Sequence, residues 1–484
     1  MTEAVVAAPD PRRWLTLAVV GAAFFMTILD VAIVNVAIPS IQLKLHTTPA
    51  TVQWVLIAYS ITFGGFLLLG GRMADLLGRR LIFLVGLTLF TVASLVCGLS
   101  TSSGMLIGAR AVQGLGAAIV TPAALSVIST TFTEGQERNK ALGAWGAVGG
   151  SGAAAGVLFG GILTKYLGWE WIFWVNVPVG VSVLALTPFY VRESRREDVV
   201  HEYDPLGAIL VTAGLVSLVY AISQAPDEGW ASFRTIGVLV LSGALLVAFV
   251  IWEARERAPL MPLSIFRIRL LSAANFVALL HSGGVYGSFL LLTLYMQDVL
   301  HLSVLQTGVA FLATAGTAVA FAAPAQMLST KVGVKPVMLI GIGLLVAGML
   351  WYTQISPHGS YPVDLLPGFV AVGIGLPFSF IPLTIAALAG VEDDDAGLAS
   401  GLLTTSQQVG GAIGTAVLST VAFTHAKTLG ISGVDQREAS TSGFSWGFWV
   451  GVGIWGAALA SAILLIRERE IEEPEAVELP AAQS

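Results

Sequence analysis

The chain has 484 residues, 55% of them hydrophobic and only 11% charged, with a formal net charge of −6. Soluble domains carry about 25% charged residues, so this composition excludes a string of soluble domains and points to a polytopic membrane protein. A single cysteine, Cys97, excludes an internal disulfide and a cysteine metal site within one chain.

A helix of about 20 apolar residues crosses a ~30 Å hydrocarbon core. Apolar runs of that length predict fourteen spans: 14–38, 51–70, 81–99, 104–128, 142–163, 171–190, 206–222, 235–252, 271–295, 305–328, 336–355, 365–389, 398–423 and 444–466. The first run is longer than a signal core and continues into Asp30 and Asn35, so no cleavable leader is expected. With the N-terminus placed inside, inner loops hold eighteen of the 24 Lys and Arg residues. Outer loops hold five (Lys44, Lys165, Arg234, Lys427 and Arg437), and Arg110 falls within a span. That bias predicts cytoplasmic termini and an even number of spans.

Asp30 lies inside the first run, where a carboxylate costs roughly 2.5–3.5 kcal/mol on insertion scales and needs a use or a partner. It sits about eight residues before the outer end of its span, and Arg110 about six after the outer start of the fourth. At 1.5 Å per residue both lie roughly 10 Å below the outer face. Opposite charges at one depth are expected to pair, and Gln113 shares the Arg110 helix face. Two readings follow: a protonation site, or a static pair that fixes helix packing. His281 in the ninth span is a second titratable candidate; its alternative is a hydrogen-bonding packing residue.

The segment Gly71–Arg80 (GRMADLLGRR) reads as a loop between the second and third spans. Gly71 and Gly78 permit a tight turn, and Arg72, Arg79 and Arg80 satisfy the positive-inside bias. Asp75 suggests a cytoplasmic latch, accepting from those arginines or from a helix N-terminus. A weaker copy, Gln326–Lys335, lies eight spans later, with Gly333 where Gly78 stands. That spacing predicts two six-span halves with a two-span insert between them. The expected organisation is a cytoplasmic segment 1–13, a six-helix bundle over 14–190, and linkers over 191–270 carrying inserted helices near 206–222 and 235–252. A second bundle over 271–466 and an acidic, disordered tail over 467–484 complete it.

The fifth span carries Gly152, Gly156 and Gly160 at four-residue spacing, followed by Gly161. Ser406, Gly410 and Gly414 repeat the spacing in the thirteenth. Such stripes allow close helix approach, as fixed packing or as a moving interface. Asn35, Trp54, Tyr59, Gln113, His281, Gln407 and Gln408 are candidate cavity residues, with Trp54 and Tyr59 alternatively part of an interfacial belt. Trp169, Trp171 and Trp174 read as a belt at the outer end of the sixth span. No Walker A spacing is present, which argues against ATP hydrolysis, and no nucleophile stands beside a base.

Together these motifs resemble the major facilitator superfamily and, within it, the fourteen-span drug:proton antiporters. The first-span signature looks like Leu29-Asp30 through Ala37-Ile38-Pro39, the loop signature like Gly71–Arg80, and the fourth-span signature like Arg110–Gly116. The antiporter glycine signature looks like Gly152–Gly161; the runs Trp171–Gly180 and Ser400–Gly414 are also similar. Val157 stands where that glycine signature usually has proline, Leu76 at a commonly basic position, and Gln407 where arginine is frequent.

The resemblance implies an all-α membrane protein of the major facilitator fold: two rocking six-helix bundles plus a two-helix insert. It implies export of amphipathic or lipophilic small molecules across the cytoplasmic membrane in exchange for protons, with Asp30 the proton carrier and Arg110 its coupling partner. The proton would be the coupling ion, with no further cofactor, metal, enzymatic activity or nucleic-acid partner, and the monomer would suffice. A lipid, metabolite or nutrient transporter of the same fold, or a non-transporting membrane receptor, are the competing readings.

Overall fold

The structure is a computed structural model describing residues 11–132, 136–194, 204–257, 259–261, 263–389, 391 and 396–467. Of the predicted tail only residue 467 falls among them, and the Asp75 side chain lies outside the described residues. The first long helices are α1 (Arg13–Lys44), α2 (Trp54–Leu77), α3 (Arg79–Gly98), α4 (Ser103–Thr131), α5 (Gln136–Tyr166) and α6 (Trp171–Tyr190). Two more follow, α7 (Pro205–Glu228) and α8 (Phe233–Glu253). The last six are α9 (Arg269–Val299), α10 (Val304–Val332), α11 (Val334–Tyr352), α12 (Tyr361–Leu388), α13 (Ala396–Ile431) and α14 (Gln436–Leu465). Among the described residues thirteen are long and apolar enough to span a bilayer; α5, 31 residues long and packed beside α1, makes the fourteenth. Helices are the expected answer, because a lipid-exposed backbone must satisfy its own N–H and C=O groups.

Helix starts are set by short polar side chains. Ser102 accepts from the Met105 amide to cap α4, and Ser303 and Gln306 form a capping box on α10. The stretch read as the loop 71–80 is mostly helix. α2 continues to Leu77, and the turn into α3 is the single residue Gly78, at φ +115°. Gly71 therefore does not turn the chain; it lies inside α2 facing Pro122 of α4. Gly333, at φ +106°, makes the same one-residue break between α10 and α11, so the loop repeat is also a backbone repeat.

In the first bundle α1 packs on α5 and α6, α2 on α4, and α3 on α4 and α6. In the second α9 packs on α13 and α14, α10 on α12, and α11 on α12 and α14. A shift of eight helices maps one set onto the other, so the chain is two six-helix bundles with a two-helix insert. The bundles meet chiefly at α5 against α10 and α13 against α2, with smaller contacts of α1 on α9 and α10. α7 and α8 pack on each other, and α7 lies in the groove between α2 and α13, joining Leu215 and Val219 to Ile57, Ile61, Ala412 and Ala416.

Both ends of the described chain lie on one face, called here the terminal face: the α1 residue Thr16 bonds the Tyr190 carbonyl, and Lys335 bonds Ile463 near the end of α14. In the opposite half of the molecule one apolar core runs through both bundles, from Ile33, Ile38 and Phe173 to Met296, Phe311 and Trp455. In the terminal half the bundles have separate cores, one around Phe83, Phe90 and Val120, the other around Leu271, Met338 and Leu383. The bundles are joined on the far side and part toward the terminal face.

Candidate functional site

Asp30 on α1 is fully buried and Arg110 on α4 is 1% exposed. Arg110 Nη1 donates to Asp30 Oδ2 in an ion pair. Asp30 Oδ1 accepts from Gln113 Nε2 at 2.8 Å and from Asn176 Nδ2 of α6 at 2.9 Å. Arg110 also donates from Nε to the Val55 carbonyl at 2.9 Å and from Nη1 to Gln113 Oε1 at 2.7 Å. Ser94 of α3 accepts from Gln113 and Asn176, each at 3.1 Å, and donates to the Phe173 carbonyl. The Tyr59 ring covers the guanidinium, 4.2 Å from Cζ to the centroid. One carboxylate thus ties α1, α4 and α6 together directly, and its loss of charge would leave Arg110 without a counterion.

The pairing expected from depth is present. The sequence reading missed Asn176 and Ser94. Asn176 had a signal, a lone amide inside the sixth apolar run; Ser94 had none, because a serine in a membrane helix ordinarily bonds its own backbone.

The other candidates divide. Asn35 donates to the Val31 carbonyl and leaves Oδ1 unpartnered; Tyr59 Oη and Gln408 Oε1 are likewise buried without partners. Gln408 lies against Gly64 of α2 and beside the Tyr286 hydroxyl, which interacts with Tyr59, so these groups face each other across the bundle gap. Gln407 next to it is half-buried. Trp54 packs on Tyr220 of α7, with ring centroids 6.2 Å apart, and so faces the insert. Trp169 is not in a belt either, being 4% exposed and edge-on to Phe173. His281 lies in the second bundle: its Nε2 pairs with Ser379 Oγ of α12 at 2.8 Å, and its carbonyl accepts from Trp455 Nε1 of α14 at 3.0 Å.

The glycine stripe of α5 faces α1. A Cβ on Gly156 would meet Ala32 Cβ and the Leu29 carbonyl, both at 2.7 Å, and one on Gly160 the Ile33 carbonyl at 2.8 Å; Gly152 faces Phe25 and Ile28. Gly161 points elsewhere, to Val304 and Leu305 of α10 in the other bundle. Gly410 and Gly414 of α13 sit equally close to Leu279 and Gly283 of α9. At the terminal face Arg79 bonds Ser126 and Ser194, and the amides of Arg80 and Leu81 are capped by Glu193. Arg72 instead reaches the Pro259 carbonyl in the linker after α8, at 3.0 Å.

The sequence matches the Major Facilitator Superfamily over residues 20–415 and 275–483. The chain belongs to the major facilitator superfamily. It is 41% identical over 416 residues to the puromycin resistance protein pur8 of Streptomyces alboniger, covering 85% of this chain and 82% of that one. It is 36% identical over 453 residues to the cephamycin export protein CmcT of Amycolatopsis lactamdurans, covering 90% and 89%. The tetracenomycin C resistance and export protein of Streptomyces glaucescens is 34% identical over 408 residues, covering 84% and 75%. Among solved structures, a bacterial homologue of the human lysosomal transporter Spinster, in an inward-facing and unoccupied conformation, superposes with a TM-score of 0.64. It shares 18% identity and covers 94% of this chain and 97% of its own. At that identity the likeness speaks for the fold of this superfamily member alone.

Proposed function

We propose that this major facilitator protein exports drug-like or self-made antibiotic compounds, amphipathic or lipophilic in character, from the cytoplasm in exchange for protons. Export of such cargo rests on the relatives named for resistance and export. Proton coupling rests on one observation, the buried Asp30–Arg110 pair braced by Gln113 and Asn176. Intramembrane acids of this kind mark ion pathways. The lysine and arginine bias supports a cytoplasmic terminal face, the face toward which the two cores separate. Cargo enters between the separate cores and meets the unpartnered polar atoms of Tyr59 and Gln408, and a proton from outside neutralises Asp30 as the bundles rock. A membrane potential of 100 mV contributes roughly 2.3 kcal/mol per charge carried across, enough to bias a two-state cycle.

The test is dye efflux from vesicles under an imposed pH gradient, beside a binding assay. Asp30→Asn is expected to abolish gradient-driven flux while cargo still binds; His281→Gln, which keeps a hydrogen bond to Ser379, is expected to pump. Parental pumping by Asp30→Asn would make this carboxylate structural and move the proton elsewhere.

A further inference from the structure

The insert carries a second pair of acids that the transport site does not use. Asp204 precedes α7 and Glu253 ends α8; they are 2% and 3% exposed. Asp204 Oδ1 accepts from the Gly207 amide at 2.8 Å, capping α7, and from Trp252 Nε1 at 2.8 Å. Glu253 Oε2 accepts from the Met261 amide at 3.1 Å. Their other oxygens, Asp204 Oδ2 and Glu253 Oε1, receive no donor from the protein and are buried. The two lie side by side: a Cβ on Gly207 would lie 2.2 Å from the first and 2.7 Å from the second.

Among the described residues no base pairs with them, and Arg255 and Arg257 of the linker after α8 are exposed. Glu256 in the linker adds a third negative charge at this corner. Arg72 of α2 donates to the Pro259 carbonyl. α13, also packed on α7, has its basic side chains His425 and Lys427 toward its opposite end. Two ionised carboxylates do not hold a dry contact without a cation, and a shared proton is the smallest group that satisfies both oxygens at once.

We propose that Asp204 and Glu253 form a proton-binding site, a carboxylic acid–carboxylate pair sharing one proton between Oδ2 and Oε1, which clamps the two-helix insert onto linker residues 254–261. While the proton is bound, Glu253 holds Met261, and Pro259 two residues earlier stays within reach of Arg72 in α2. When it leaves, two negative charges face each other beside Glu256, the pair separates, and Met261 loses its acceptor. That linker is the tether between the insert and α9, so pH at the terminal face sets how tightly the second bundle is held to the first. The site shares no residue with the Asp30 network and stands whether or not Asp30 carries the transported proton.

Infrared spectroscopy of the purified protein in lipid tests the occupant. A protonated-carboxyl C=O band, shifting in D2O, is expected in the parent and in Asp30→Asn, and is expected to vanish in Glu253→Gln and in Asp204→Asn. Thiol labelling tests the clamp. Leu260 is buried, and the lone native thiol, Cys97, is buried too, so labelling of Leu260→Cys reports the linker. Its rate is expected to rise at least tenfold as the pH is raised, and to stay low throughout when Glu253→Gln supplies a permanent N–H in place of the proton. A band unchanged in both acid variants, or identical pH dependence of labelling with and without Glu253→Gln, overturns the proposal. So does protection that follows sodium or potassium at fixed pH, which would put a metal cation between the oxygens.

Discussion

A double-mutant cycle on Asp30 and Arg110 isolates what their pairing is worth. Each is essentially buried, and each keeps neutral partners when the other is removed: Arg110 keeps Val55 and Gln113, and Asp30 keeps Gln113 and Asn176. Taking one partner from a buried ion pair costs about 3–5 kcal/mol, because the remaining charge is stranded out of water. In Asp30→Asn the new amide also turns a donor toward Arg110, Gln113 or Asn176, all of which now donate to that carboxylate. In Arg110→Gln the carboxylate keeps two amide donors, so its loss belongs at the lower end of the range. The double variant buries no charge and can bridge amide to amide, and replacing a whole buried pair is often close to neutral. The two single losses therefore exceed the double loss by about 3 kcal/mol or more, far outside the roughly 0.5 kcal/mol scatter of independent sites. Reversible unfolding in mixed micelles measures all four corners, with vesicle flux recorded in parallel. The double variant is expected to fold like the parent and to transport nothing under a proton gradient. Additive losses would show that the two charges do not depend on each other and would remove the physical basis for coupling through this pair.

Gly156→Leu is expected to insert normally and to stop cycling, since even a Cβ there lies 2.7 Å from Ala32 and the Leu29 carbonyl. Normal flux in that variant would show that α1 and α5 need no close approach. A C-terminal reporter active only outside the membrane is expected to be silent, on the proposal that the lysine and arginine bias keeps both termini in the cytoplasm; activity would reverse that orientation.

What could be read from the chain was what one helix at a time encodes. Asp30 and Arg110 were legible because a charge in an apolar run is rare and depth follows from counting residues. Gly78 and Gly333 were legible as a pair because each must accept a left-handed φ. The end of α2 was not legible: Arg72 and Asp75 look like loop residues, yet a helix leaving the bilayer keeps its hydrogen bonds, and hydropathy does not register that. Trp54 and His281 were singled out as cavity residues, and each meets a neighbour the sequence did not name. Which neighbour a membrane helix meets is set by packing of small residues and not by its polarity, so the facing surfaces of Tyr220 and Ser379 could not be inferred. Asn176 and Ser94 needed four helices in place, and the acids of the insert two, before they became a site.

The depth of the Asp30 network gives it mechanical meaning. Leu29, Leu56, Ala109 and Phe173 around it belong to the core shared by both bundles, whereas Met26, Tyr59, Phe90 and Ala117 belong to the core of the first bundle alone. The charged pair therefore sits at the level where the bundles begin to part. The second bundle has a counterpart at the same level. α9, α12 and α14 are the mates of α1, α4 and α6, and they are joined there by His281, Ser379 and Trp455, a node of hydrogen bonds with no ion pair. The repeat kept a polar tie at the pivot of each bundle but put a carboxylate and a guanidinium in only one. On the proposed proton coupling, a proton reaching this level would find a salt bridge to break in the first bundle and, among the described residues, none at the matching node of the second, which would make the first bundle the charge-dependent half of the cycle.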